Sequence, residues 1–163
     1  MAFQSVNEIE KFSYEDCRIY GFQVKENQIE MELEALIVKP DNSQNTNYTE
    51  SYAATTVVKF IGGKILSGTK DGYKYYDAND VLLKTVPDEP LTNEQLGNFP
   101  KICEGAFLFS MSKVKEDDDL YVYELSIEFE DEEDNTVADS YRLQICFEKA
   151  IFTWQEYLNR VQR

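Results

Sequence analysis

The last third of the sequence places an apolar residue at every second position, and this spacing constrains the fold more than any other feature. Apolar side chains recur at Tyr121, Tyr123, Leu125, Ile127 and Phe129. Successive side chains of a β-strand point to opposite faces, so a period of two puts these groups on one face. The same alternation recurs from Val137 to Phe147, and a strand-like segment from Ala106 to Lys115 precedes both. The sequence therefore predicts three consecutive antiparallel strands with one buried face.

Shorter segments earlier in the chain follow the same pattern. Cys17 to Lys25 and Gln28 to Ala35 alternate on either side of Glu26-Asn27, which predicts a β-hairpin with a two-residue turn. Tyr52 to Ile61 is rich in β-branched and aromatic residues and predicts another strand. A second hairpin is predicted for Tyr73 to Val86, around an Asp/Asn-rich turn. The polar, aperiodic segment from Pro40 to Ser51 is predicted to be a loop.

Helices are predicted at the two ends and at one internal site. Thr153 to Glu156 has the form of a capping box, and an apolar stripe at helical spacing follows it, which predicts a short C-terminal helix. The stripe consists of Trp154, Tyr157, Leu158 and Val161. Similar boxes at Ser5 to Glu8 and Thr92 to Gln95 predict a short N-terminal helix and a helical turn ending at Gly97.

These elements together predict the fold class. Residues 1–163 are expected to form a single, mainly β domain of about eight strands, with an α+β arrangement as the alternative. The strands are expected to form an antiparallel meander, either a curled barrel or a two-layer sheet, because one-sided patterning satisfies both.

The charge of the chain limits its partners. Sixteen basic and thirty-one acidic side chains give a formal net charge of −15, so nucleic acid and anionic membrane surfaces should repel it. A partner chosen by charge should therefore be a basic protein. The first residues lack a secretory signal, and no apolar stretch approaches the ~20 residues needed to cross a bilayer. Three widely spaced cysteines argue for reduced thiols and a cytoplasmic location, with Cys103 the one expected to be exposed.

The sequence contains no histidine, and this absence excludes many catalytic plans. Ser-His and Cys-His nucleophile pairs and histidine metal ligands are all ruled out. The sequence contains no glycine-rich phosphate-binding loop. Its cysteines are too far apart in the sequence to form a zinc knuckle. We therefore predict a non-enzyme with no catalytic residue, no cofactor and no metal.

Acidic turns are the first candidate binding surface. The residues concerned are Asp117, Asp118, Asp119, Glu130, Asp131, Glu132, Glu133 and Asp134. Neither turn has the spaced, glycine-containing pattern of a calcium loop, and successive turns of a meander fall at opposite ends of a sheet. The sequence favours a non-catalytic protein-binding module, for example an inhibitor or immunity-type protein, that presents these carboxylates to a basic partner.

Tyrosines offer the alternative function. If the sheet closes, a set of strand tyrosines could line a cavity for a small apolar ligand. These are Tyr73, Tyr75, Tyr121, Tyr123 and Tyr141. Sequence alone identifies neither the partner nor the ligand.

Overall fold

A computed structural model describes residues 2–129 and 139–163 of the chain. Its strands are, in chain order, β1 (Phe3–Val6), β2 (Phe12–Ser13), β3 (Arg18–Lys25), β4 (Gln28–Glu34), β5 (Ile37–Val38), β6 (Ser51–Ala53), β7 (Thr56–Ile61), β8 (Lys64–Lys70), β9 (Tyr73–Tyr76), β10 (Leu82–Val86), β11 (Glu89–Pro90), β12 (Phe107–Asp117), β13 (Leu120–Glu128), β14 (Ser140–Phe147), β15 (Lys149–Trp154) and β16 (Tyr157–Arg160). A 3-10 turn (Ile9–Lys11) and a helix, α1 (Asn93–Ile102), complete the elements of the described residues.

Ten of these strands form one antiparallel sheet in the order β1-β15-β7-β4-β3-β12-β13-β14-β8-β11. The alternation in the last third of the sequence is confirmed, because β12, β13 and β14 pair as consecutive antiparallel strands. Leu125, Ile127, Leu143 and Ile145 are fully buried, as a one-sided pattern requires. The fold is therefore mainly β with antiparallel sheets, as the sequence predicts.

The large sheet bends at two places, between β7 and β8 and between β14 and β15. β7 leads into β8, and β14 leads into β15, although β15 pairs with β7 and β14 pairs with β8. The amide of Glu148 donates to the Ile61 carbonyl over 2.8 Å where the two bends meet. Gly63 is required at this corner, because a Cβ there would lie 2.6 Å from the Phe60 carbonyl oxygen. These bends curl the sheet around one hydrophobic core.

The curl stops short of a closed barrel. β3 and β12 pair only where Phe107 lies opposite Arg18, and Ile19 adds backbone bonds to Gly105 and Ala106 beside that point. Helix α1 lies beside the gap, contacts β3 and β8, and buries Phe99 in the core. Its capping box is present as predicted, with Thr92 and Gln95 bonding each other's backbone amides. The predicted end at Gly97 is wrong, because the helix continues to Ile102.

The two predicted terminal helices are wrong. Lys149–Trp154 and Tyr157–Arg160 are strands, and Trp154 is buried because it continues the alternation of Ala150 and Phe152. The apolar residues of this segment fit a period of two as well as a helical stripe, and pairing with β7 and β1 decides between them. At the N-terminus, Phe3–Val6 pairs with β15, and only a 3-10 turn follows.

The remaining strands form two smaller sheets. One contains β16, β6, β5 and β2, and the other contains only β9 and β10. The predicted loop from Pro40 to Ser51 is organised by a buried asparagine. Asn45 donates from Nδ2 to the carbonyls of Val38, Lys39 and Thr49, so a polar side chain takes the place of a strand partner.

Candidate functional site

A two-stranded hairpin, residues 73–86, is the most distinctive surface feature, and we call it the arm. β9 and β10 pair with each other and with no other strand of the described chain. The Asp77 carboxylate closes the turn by accepting from the amides of Asn79 and Val81, at 2.8 and 3.0 Å. Asp80 adopts φ 62°, a left-handed conformation that Asp tolerates in tight turns. The arm therefore has a well-defined tip.

An ionic network holds the base of the arm. Arg142 on β14 donates from Nε to Asp71 over 2.6 Å and from Nη2 to Asp88 over 3.0 Å. Ser140 donates to the second oxygen of Asp71, and the Gly72 amide donates to Asp88. Asp71 and Asp88 stand on the two chain segments that enter and leave the arm. One guanidinium thus fastens both segments to the large sheet.

Large apolar side chains on the arm face solvent. Tyr76, Val81, Leu82 and Leu83 are between 48% and 67% exposed. Asp77 and Asp80 lie at the tip of the arm and Asp71 and Asp88 at its base, and the exposed cations Lys74 and Lys84 lie on its two strands. Contiguous exposed apolar groups with a polar rim are typical of protein–protein interaction sites. Sequence patterning predicted this hairpin but not its isolation, although the run Val81-Leu82-Leu83 signals a strand that is apolar on both faces.

The predicted acidic surface is only partly described. Asp117, Asp118 and Asp119 form the exposed turn between β12 and β13, where Lys115 pairs with Asp117 at 3.4 Å. Asp118 and Asp119 make no ion pair with the described residues. The second predicted cluster, Glu130, Asp131, Glu132, Glu133 and Asp134, lies outside the described residues.

The acidic turn of Asp117 to Asp119 and the arm lie at opposite ends of the large sheet. The turn precedes Tyr121, which pairs with Phe147, whereas the arm follows Lys70, which pairs with Tyr141 at the start of β14. β13 alone separates these ends by roughly 25–30 Å, given the rise of a strand. Asp117 to Asp119 and the arm are therefore two separate surfaces.

The five tyrosines of the alternative function are distributed over three places. Tyr73 and Tyr75 contact each other on the arm. Tyr121 and Tyr123 both pack on Phe147 in the core. Tyr141 packs on Phe99 and on Phe129 instead. The structure does not bring them together around one space.

Three clefts flank helix α1. Two of them, of about 460 and 640 Å³, lie end to end beside β3 and share Pro100. The third, of about 220 Å³, lies at the other side of the helix and includes Phe99 and Tyr141. Sequence reasoning missed these clefts, because they depend on how α1 packs beside strands that are distant in the sequence.

Burial and hydrogen bonding shift the pKa values of several groups in the described chain. Cys103 is buried, contrary to the prediction that it is exposed, and burial raises the pKa of its thiol to about 12. Burial likewise raises the pKa of the Cys17 thiol far above its usual range. Burial alone would raise the pKa of Glu8, but hydrogen bonds from Ser43 and Ser5 hold it below its ordinary value. Within residues 2–129 and 139–163, no group of His, Cys, Asp and Glu side chains could hold a metal ion.

The comparisons with known proteins return no match: no family model, no curated protein and no solved structure resembles the chain. Among the residues that the structure describes, no helix has the length and apolar character needed to span a membrane.

Proposed function

We propose that this chain is a non-catalytic protein-binding module whose partner is a basic protein, and that the arm is its principal contact. One observation carries the proposal: a hairpin with no strand partner among the described residues presents Tyr76, Val81, Leu82 and Leu83 to solvent, with aspartates at its tip and base. Exposing such side chains brings the isolated chain no stability. Their contribution comes when a partner covers them.

The chemistry of the arm defines the partner. The centre of a protein interface is apolar and its rim is polar, and the arm has this arrangement in its leucines and aspartates. A basic surface around an apolar depression would complement both parts. A second copy of the chain is a poor occupant, because each copy carries a net charge of −15.

An inhibitor or immunity-type protein is the concrete form of this proposal. Such a protein must present a fixed surface, since ordering a mobile loop on binding costs affinity. The Asp77 turn at the tip and the Arg142 bridges at the base fix the arm in this way. Asp117 to Asp119, at the far end of the sheet, would add long-range attraction and speed association without direct contact.

Affinity capture from native extract at low salt, with release by a salt step, tests the proposal. The bait variants are the double substitution Leu82→Ser with Leu83→Ser, and a control, Val114→Ser, which removes a side chain that is 51% exposed elsewhere. We expect one basic protein to be released by salt from the parent and the control, and to be lost from the arm variant. Release of no basic protein, or equal capture by the arm variant, would contradict the proposal.

A further inference from the structure

The strand β3 has an open edge in the middle of the large sheet. Among residues 2–129 and 139–163 it pairs with β4 only from Gly21 to Lys25, because its pairing with β12 ends at Arg18 and the adjoining backbone bonds end at Ile19. In an antiparallel ladder, alternate residues direct their N–H and C=O groups to each side. Lys25 lies opposite Gln28 across the two-residue turn. The residues that flank such a turn bond each other's backbone, so Phe22 and Val24 direct their backbone groups to the open side.

The two clefts beside β3 follow this open edge. The smaller is lined by Tyr20, Gly21, Phe22 and Gln23 from β3 and by Pro100, Lys101 and Glu104 from the other side. The larger continues past Val24 and Lys25 and faces Leu96, Gly97 and Pro100. Strand edge and helix thus form the two walls of one groove. We propose that this groove binds an extended peptide segment, which adds to β3 as an antiparallel strand.

Backbone chemistry on both walls suits an extended chain. Unpaired amides and carbonyls of a strand edge are a template for another strand. On the helix, Pro100 has no N–H, so the Leu96 carbonyl lacks its usual helical partner. Gly97 has no side chain to fill the groove, and the space beside its Cα is open, because a Cβ there would have no atom within 4 Å. A peptide backbone can therefore approach this side of α1 closely.

The charges along the groove define the peptide. At the Gly21 end, Glu32 and Glu104 form no ion pair with the described residues, and Lys101 is the single cation of that cleft. At the other end, Val24, Ile65 and Leu96 make the lining apolar. Every pairing in the large sheet is antiparallel, so the bound segment starts at Val24 and ends at Gly21. It should carry apolar residues first and Arg or Lys last.

This site does not rest on the arm, since the two surfaces share no residue. A positional-scanning library of acetylated and amidated heptapeptides, read by fluorescence polarisation, tests it directly. The decisive pair of variants is Val24→Pro and Val24→Ala. Proline removes an amide that faces the open side and leaves the ladder to β4 intact, whereas alanine keeps the amide and removes only apolar contact.

We expect the library to select apolar residues at the first positions and Arg or Lys at the last. We also expect Val24→Pro to weaken the selected peptide at least tenfold, and Val24→Ala to weaken it less. Gly97→Leu, which raises the helix wall without touching β3, should also lower affinity and serves if the proline variant fails to fold. Absence of any binder, a preference for acidic peptides, or full binding by both Val24→Pro and Gly97→Leu would overturn the proposal.

Discussion

Arg142 and Asp88 meet across the base of the arm, with Nη2 of the arginine 3.0 Å from the carboxylate. Arg142 belongs to β14 in the large sheet, whereas Asp88 lies just beyond the end of β10. The same guanidinium is 2.6 Å from Asp71, just before the arm begins. The side chain of Arg142 therefore joins both ends of the arm to the large sheet.

Replacing Arg142 with alanine should loosen the arm without unfolding the protein. The guanidinium is 38% exposed, and partly exposed ion pairs contribute only about 1 kcal/mol or less. We therefore expect a small change in the free energy of unfolding, but clearly faster amide hydrogen exchange across residues 73–86. Arg160→Ala, on β16 and away from the arm, is the control. Unchanged exchange in the arm of the Arg142 variant would mean that the bridge does not hold it.

Gly72 should not tolerate a side chain. A Cβ there would lie 2.0 Å from the Val86 carbonyl oxygen and 2.5 Å from the carbonyl carbon of Pro87, and both are backbone atoms that cannot rotate away. We expect Gly72→Ala to displace the start of the arm and to cost about 1–3 kcal/mol, the usual cost of overpacking. Chemical denaturation measures the loss. Parent-like stability would show that the two segments at the base separate easily.

Gly97 should behave in the opposite way. It lies inside α1, where a Cβ would meet nothing within 4 Å, and glycine is less favourable than alanine in a helix interior by about 0.8–1 kcal/mol. Gly97→Ala should therefore stabilise the protein by up to about 1 kcal/mol in the same denaturation experiment. The two variants thus test different effects: Gly72→Ala introduces a steric clash, whereas Gly97→Ala only reduces the conformational freedom of the backbone. Destabilisation by Gly97→Ala would indicate that the groove beside α1 is narrower than described.

Sequence patterning predicted the parts of the fold that depend on local periodicity. β13 and β14 alternate over long stretches, and Thr92 and Gln95 form their cap within four residues. β12 is a strand as predicted, but a register shift after Leu108 leaves Phe109 exposed and buries Leu108 and Met111. The prediction of a C-terminal helix was wrong because the apolar spacing of that segment fits both a strand and a helix. At the N-terminus, Ser5 donates to the Glu8 carboxylate, so this pair bonds side chain to side chain and caps no helix.

Features that depend on missing partners could not be predicted from the sequence. In the part of the chain that the structure describes, the isolation of the arm and the open edge of β3 follow from which strands pair. Contacts between distant segments decide that pairing. Arg142 is seventy-one residues from Asp71 and fifty-four from Asp88. Burial of Cys103 likewise depends on the packing of α1 against the sheet. The residues were visible in the sequence, but nothing in their neighbours indicated these contacts.

Asn45 should be essential to the loop from Pro40 to Ser51. Its Nδ2 donates to three carbonyls at 2.9–3.1 Å, and it is buried. Alanine would remove these bonds, together with the bond that the Asn45 Oδ1 accepts from the Asn47 amide, so we expect Asn45→Ala to destabilise the protein by about 1–3 kcal/mol. Gln44→Ala is the matched control, because that side chain bonds only an exposed serine and should change stability by less than about 0.5 kcal/mol. Equal effects of the two variants would contradict this role.

Alkaline pH should destabilise the fold, and Cys103 should contribute measurably. Burial raises the pKa of its thiol from 9.0 to about 12, so the unfolded chain releases this proton first as the pH rises. Stability from the buried neutral thiol is complete below about pH 9 and falls between pH 9 and 12. Burial also raises the pKa of Tyr157, from 10.0 to about 12, which steepens the loss in the same window.

Comparison of Cys103→Ala with the parent isolates the thiol. One proton released by the unfolded chain alone changes the free energy of unfolding by at most about 1.4 kcal/mol per pH unit. In denaturant titrations at pH 9 to 11, the free energy of unfolding should fall less steeply with pH in Cys103→Ala than in the parent. The two slopes should differ by up to that amount. Ile102→Ala, a neighbour without a titrating group, should keep the parent slope. An unchanged slope in Cys103→Ala would mean that water reaches the thiol in the native state.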